Sequence, residues 1–252
     1  MQPQVTRFGS LDSYVLDGGE SPSALVVLCH GFGAPGSDLV GVADAWRQVL
    51  GDRGARIRFL CPIAPMSLAE FGMPDGRAWW SINMSRLMEM VQASRFEELH
   101  RETPPGIDEA REALEGLVQA ARGELAEQRG LPLQSIPLAL GGFSQGAMLT
   151  MDTALRGSID PPQVLIQFSG TLVCQPQWTT AMSRLAETRV YQSHGTQDPI
   201  LPFTSAERLR DLLGAAEIEA RFHAFPGPHT IDPDSVPETA LMIHQMTEAE
   251  TK

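Results

Sequence analysis

The sequence predicts an α/β protein with a mostly parallel central sheet covered by helices on both faces. Short apolar runs rich in branched residues alternate with longer segments of helical period, the pattern of strands joined by crossover helices. Several of those runs are apolar at every position, as strands covered on both faces must be. No internal repeat and no low-complexity linker interrupts the alternation.

Taken in order, strands are expected at 14–16, 24–29, 57–61, 137–142, 163–168, 190–193 and 220–225. Helices are expected at 38–50 and 110–128, where charged residues stand opposite an apolar stripe; in the second, Leu114, Leu117, Val118, Ala121 and Leu125 face inward. Further helices are expected at 144–156, 203–213 and 235–247, with Pro202 and Pro237 in or near first turns, where a missing N–H costs little. The stretch 84–106 is too long for an ordinary connection and reads as an inserted helical flap before a helix opening at Ile107.

At 252 residues, one α/β domain over 1–252 is expected, and 42% hydrophobic with 20% charged residues excludes disorder. A net charge of −12 repels phosphate backbones and anionic lipid surfaces, so no nucleic-acid partner is expected. Cys29, Cys61 and Cys174 form neither a disulfide framework nor a metal-ligand pattern. A reducing compartment follows, with Cys29 and Cys61 as buried inert thiols. The first ten residues carry no apolar core of a secretory signal, and no run reaches the roughly 18 apolar residues of a membrane span. The expectation is a cytoplasmic protein without stable membrane insertion.

Gly142-Phe143-Ser144-Gln145-Gly146 fits GxSxG between an apolar strand and a helical pattern. This is the context of a nucleophile elbow, in which two glycines permit a sharp turn that lifts the serine hydroxyl clear of the backbone. A serine hydroxyl is a weak nucleophile at neutral pH and needs a base, which needs a partner to fix its tautomer. In the α/β-hydrolase arrangement the order along the chain is serine, acid, histidine, which removes His30 and His100. His194 and His223 fall within or at the ends of expected strands and His244 inside a helix, whereas His229 follows Pro226-Gly227-Pro228 in a loop after the last strand. His229 is therefore the candidate base. Asp198, in a turn after the strand at 190–193, would project from the same sheet edge as Ser144 and is the candidate acid. Asp211 and Glu207 belong to a helix, and Asp232 and Asp234 come after the histidine.

An acyl-transfer site also needs two N–H groups for the oxyanion. The backbone N–H of Gln145 follows the nucleophile directly. The loop His30-Gly31-Phe32-Gly33-Ala34 offers the N–H of Phe32 as the second.

Together, Leu28-Cys-His-Gly-Phe-Gly33, Gly141-Gly-Phe-Ser-Gln-Gly-Ala-Met148, His194-Gly-Thr-Gln-Asp-Pro199 and Gly227-Pro-His-Thr230 resemble the phospholipase/carboxylesterase family of α/β-hydrolases, which includes acyl-protein thioesterases. The resemblance spans about residues 20–246. It implies an α/β-hydrolase fold and a serine hydrolase acting on short to medium carboxylic ester or thioester acyl groups. Ser144, Asp198 and His229 would be its triad and the N–H groups of Phe32 and Gln145 its oxyanion hole. The reaction so implied needs no metal or organic cofactor, and the partner is a small-molecule ester or thioester substrate. Arg77-Ala-Trp-Trp-Ser81 resembles the tryptophan-containing segment of that family but carries Ser81 where aspartate is more usual.

Substrate contacts are expected from Trp79 or Trp80, one facing the acyl pocket and the other the core, and from Ile200, which stands where the family has an apolar pocket residue or else simply packs. Leu87, Met88 and Val91, with Met90 beside them, give the insertion an apolar side. That side suits a flap over the acyl pocket, a cover for the sheet edge or a contact in a homodimer. A peptidase or lactone hydrolase on the same scaffold, and a small-molecule receptor that keeps the pocket without turnover, are the competing readings.

Overall fold

The computed structural model describes residues 3–248, so the outer ends of the domain expected over 1–252 lie outside the described residues. The chain runs β1 (Gln4–Phe8), β2 (Leu11–Asp17), β3 (Ala24–Cys29), α1 (Val40–Leu50), β4 (Ile57–Pro62), β5 (Met66–Ser67), β6 (Arg77–Ala78), α2 (Met84–Gln92), α3 (Ile107–Arg129), β7 (Leu138–Phe143) and α4 (Gln145–Arg156). It continues through β8 (Val164–Phe168), α5 (Gln175–Ala181), β9 (Arg189–Gly195), α6 (Phe203–Ala215), β10 (Ala220–Phe225) and α7 (Ser235–Glu248).

Eight strands form one sheet in the order β1-β2-β4-β3-β7-β8-β9-β10. From β4 to β10 all neighbours are parallel; β1 and β2 close one edge antiparallel. Side chains along β3 divide the core. Leu25, Val27 and Cys29 pack with α3 and α4 on one face, and Ala24, Val26 and Leu28 with α1 and α7 on the other. The chain leaves β3 for β4 on one side and later enters β7 on the other, so loops at the carboxyl ends of β3 and β7 diverge. Such a switch point opens a crevice at the sheet edge.

The seven expected strands and five expected helices all form; β3 and β10 have the expected bounds, and the others have shifted ends. The helix expected from 144 opens one residue later, because Ser144 precedes α4 with φ 55° and ψ −117°, outside helical geometry. β1 is not among the expected strands, because only Phe8 of it is buried and its sequence carries no apolar alternation. The insertion expected at 84–106 folds as α2 followed by a 3-10 helix, Phe96–Arg101. Asn83 caps α2 by accepting the N–H of Arg86. Leu87, Val91 and Leu99 pack on the core with buried Phe96, so the insertion is seated on the sheet's helical layer.

His100, in that 3-10 helix, is buried at 2% exposure, with Nε2 3.0 Å from Ser205 Oγ of α6. Burial, helped by Arg208 and opposed by Glu97, lowers its pKa to about 4. An unfolded chain takes up this proton near pH 6.5 while the folded one does not until about 4. The stabilising contribution is therefore present above about pH 6.5 and lost progressively as pH falls toward 4. We expect the urea midpoint to decline across this window and His100→Gln to flatten part of the decline. A variant with the wild-type pH slope would assign the dependence to other groups.

Candidate active site

Two close approaches shape the elbow. A Cβ on Gly146 would lie 2.0 Å from the carbonyl oxygen of Cys29, and one on Gly142 would lie 2.3 Å from the carbonyl carbon of Gly146. Only glycine at both positions lets the first turn of α4 rest on the end of β3. Ser144 is held between them at positive φ, its N–H donating to Phe168 O at 2.9 Å and its C=O accepting from Met148 N–H at 3.1 Å. A non-glycine residue in this region costs on the order of 1–3 kcal/mol, which the surrounding pairing must offset.

The loop after β3 lies directly against this turn, because a Cβ on Gly31 would meet Ser144 Cβ at 3.3 Å. His30, fully buried, holds the loop. Its Nε2 accepts the N–H of Ala64 at 3.1 Å, so Nδ1 carries the hydrogen and donates to Gly31 O at 2.8 Å. Burial is the main cause of the lowering of its pKa, only partly opposed by the bond to Gly31. Gly33 N–H donates to Arg77 O and Arg77 N–H to Ala34 O, bracing the loop against β6. Phe32 N–H has no acceptor among the described residues, and Gln145 N–H opens α4 without an intrahelical partner. Both remain available to an external acceptor.

The side chain of Gln145, wholly buried, was not singled out from the sequence. Its Oε1 accepts Trp79 N–H at 3.0 Å and its Nε2 donates to Trp80 O at 2.8 Å. Trp79 in turn donates its indole N–H to His30 O at 2.9 Å. The elbow, the loop at 30–34 and the tryptophan pair thus share one buried hydrogen-bond chain. No spacing in the sequence signals a pairing across 66 positions.

Asp198 and His229 come together as the sequence expects. His229 Nδ1 is 2.6 Å from Asp198 Oδ2, and the ring packs on Phe143, the residue before Ser144, with centroids 4.8 Å apart. Ser144 and His229 are both half-buried, and the hydrogen bonds of the described residues do not include one between them. Such bonds are often long before substrate binds. Asp198 Oδ1 accepts the N–H groups of Ile200 and Leu201 at 2.8 and 2.9 Å. Burial alone would raise the Asp198 carboxyl, but the contacts from His194, His229 and the Leu201 N–H outweigh it and hold it well below the usual range. The loop carrying His229 is pinned at Thr230, whose carbonyl accepts Ser169 Oγ at 2.8 Å, and at Asp232, 2.6 Å from His223 Nε2.

A cavity of about 500 Å³ opens beside this edge, walled by Trp80, Leu87, Phe96, Met148, Leu172 and Leu201, with Ser81 at its lining and the ion-paired Arg86 and Glu102 among its residues. Of the expected contacts, Trp80 and Leu87 line it. Trp79 does not, since its indole is turned to His30. Met88 is half-buried outside the lining, and Ile200 packs on the core while its N–H serves Asp198. Among the described residues, no helix is long and apolar enough to cross a membrane.

A family model described as Phospholipase/Carboxylesterase matches residues 12–246. Acyl-protein thioesterase 1 of Mycosarcoma maydis is 24% identical over 243 residues, covering 92% of this chain and 95% of that protein. Acyl-protein thioesterase 1 of Schizosaccharomyces pombe is 26% identical over 234 residues, covering 89% and 92%. Among solved structures, esterase PE8 superposes with a TM-score of 0.72 at 26% identity, covering 94% of this chain and 99% of its own.

Replacing Gln145 by leucine leaves the Trp79 N–H and the Trp80 carbonyl buried without partners. At about 1–3 kcal/mol for each of the two orphaned groups, Gln145→Leu should lose roughly 2–6 kcal/mol in urea unfolding. A loss under about 0.5 kcal/mol would mean that the clamp is replaced by other contacts.

Proposed function

The chain belongs to the phospholipase/carboxylesterase family, and from that premise we propose that it hydrolyses carboxylic ester or thioester bonds of short to medium acyl substrates through an acyl-enzyme on Ser144. The observation that carries the reading is the 2.6 Å Asp198–His229 pair at the sheet edge that bears the positive-φ Ser144 turn. In this reading Ser144 Oγ attacks the carbonyl carbon while His229 Nε2 takes its proton, and Asp198 holds the imidazole with its hydrogen on Nδ1. The oxyanion is met by the N–H groups of Phe32 and Gln145, each worth on the order of 10²–10³ in turnover in comparable sites. His229 then returns the proton to the leaving alcohol or thiol, and water repeats the sequence to free the acid.

The acyl group would enter the cavity walled by Trp80, Leu87 and Met148, the last one turn beyond Ser144. Helix α2 and the 3-10 helix after it would act as a flap of the same domain, with Leu87 the contact most exposed to chain length. Ser81 lines the same cavity, so the exchange of the usual aspartate for serine removes a charge from the substrate side. A cytoplasmic location fits three free, buried cysteines, whose thiols burial pushes above their ordinary range.

A fluorophosphonate probe should label wild-type protein stoichiometrically and leave Ser144→Ala unlabelled. Ester turnover in Ser144→Ala should fall by about 10⁴–10⁶, and adding Asp198→Asn or His229→Ala should cost little more, because such residues act as a unit. Retention of more than about a tenth of wild-type turnover in pure Ser144→Ala protein would end the assignment. On p-nitrophenyl esters of increasing acyl length, Leu87→Ser should change the preference among chain lengths while acetyl ester turnover stays within a few-fold. Unchanged ratios with a clearly lowered Tm would make the insertion scaffolding.

A further inference from the structure

Asp198 has a second imidazole beside it. His194, near the end of β9, is wholly buried, as is the Asp198 side chain. Its Nε2 is 2.9 Å from the carbonyl oxygen of Leu201 and 3.2 Å from Asp198 Oδ2, the oxygen that also receives His229. Both neighbours of Nε2 accept hydrogen bonds only, so Nε2 carries a hydrogen. That hydrogen is directed at Leu201 O, with the carboxylate to one side of it. Nδ1 is buried and has no partner among the described residues.

Leu201 is consequently held through both of its backbone polar groups. Its N–H donates to Asp198 Oδ1 and its C=O accepts from His194. The turn over 198–201 is thereby closed onto β9, and the carboxylate sits inside it with Oδ2 facing His229.

We propose that His194 is a positioning residue for the reaction, fixing the turn over 198–201 and the direction in which Asp198 presents Oδ2 to His229. The inference rests on the triad reading above. Among the described residues, the ionisable side chains in contact with Asp198 are His194 and His229, and both contacts contribute to holding its carboxyl below the usual range against the opposing effect of burial. Without His194 the Leu201 carbonyl is left unpaired, the turn can relax, and Oδ2 keeps one partner where it had two. His229 would still meet a carboxylate, but not one held in a single orientation. Displacements of about 1 Å in such an array cost on the order of 10²-fold in rate.

The test compares His194→Leu, His194→Gln and Asp198→Asn on p-nitrophenyl butyrate, with active sites counted by fluorophosphonate labelling run to completion. In His194→Leu, kcat per active site should fall on the order of 10²-fold with KM within a few-fold. His194→Gln, whose amide N–H can reach the same two oxygens, should recover most of that loss. A structural role alone would lower Tm and the number of active sites but leave kcat per site unchanged. If Asp198→Asn is severely impaired while His194→Leu keeps kcat per site within a few-fold, the role of His194 is overturned and the triad stands. If Asp198→Asn keeps its turnover, the triad reading fails and takes this inference with it. Should the leucine variant not fold, 15N spectra of imidazole-labelled wild-type protein decide: a hydrogen on His194 Nε2 supports the assignment, and one on Nδ1 with Nε2 bare overturns it.

Discussion

The close seating of α4 on the end of β3 is the constraint on which the rest of the site depends. Gly142 and Gly146 permit it, and Ser144, between them, takes the positive φ that the turn imposes. No other residue type fits at Gly146, because its missing side chain would occupy the carbonyl oxygen of Cys29. That approach brings the loop over 30–34 against the serine, and the N–H groups of Phe32 and Gln145 have no acceptor among the described residues. Two parallel strands whose exits diverge open a crevice at the sheet edge, and both free amides belong to the loops at that edge.

Rigidity at this crevice comes from buried polar groups that are paired with backbone. His30 holds Gly31 and Ala64, Gln145 holds Trp79 and Trp80, and Trp79 returns a bond to His30. Each of these groups would be expensive to leave unmade in a buried setting. The network therefore resists small displacements, which is what a site built to receive developing charge requires. The same economy governs the acid side, where Asp198 receives two backbone N–H groups and two imidazole contacts while excluded from solvent. A buried carboxylate persists as an anion only with such partners.

Residues 84–106 wall a cavity beside a frame that is otherwise complete. Seated through Leu87, Val91, Phe96 and Leu99, they wall one side of a cavity whose other side is α4 and the segment after β8. Residues 84–106 and the sheet edge meet through packed side chains and through the Cys174 N–H, which donates to Glu102 O at 3.0 Å, so the cavity's size follows from packing and not from any one motif.

Much was fixed by local chemistry and readable without coordinates. Apolar runs covered on both faces identified the parallel strands, and the glycines around Ser144 marked the elbow because only a sharp strand-to-helix turn needs both. Pairing Asp198 with His229 followed from chain order and from the loops that end β9 and β10. What could not be read are contacts between residues far apart in sequence: the Gln145 clamp on Trp79 and Trp80, the seat of His30 beneath the loop, and His194 beside Asp198. Which tryptophan faces the cavity was equally undetermined, because adjacent residues of an irregular segment carry no periodicity; the indole bond from Trp79 to His30 turns Trp80 to the cavity wall. Periodicity reports which face of an element is buried, and motif spacing reports what a turn can do. The partner across a buried interface is chosen by the three-dimensional packing of the whole sheet, which brings together groups that no local signal connects.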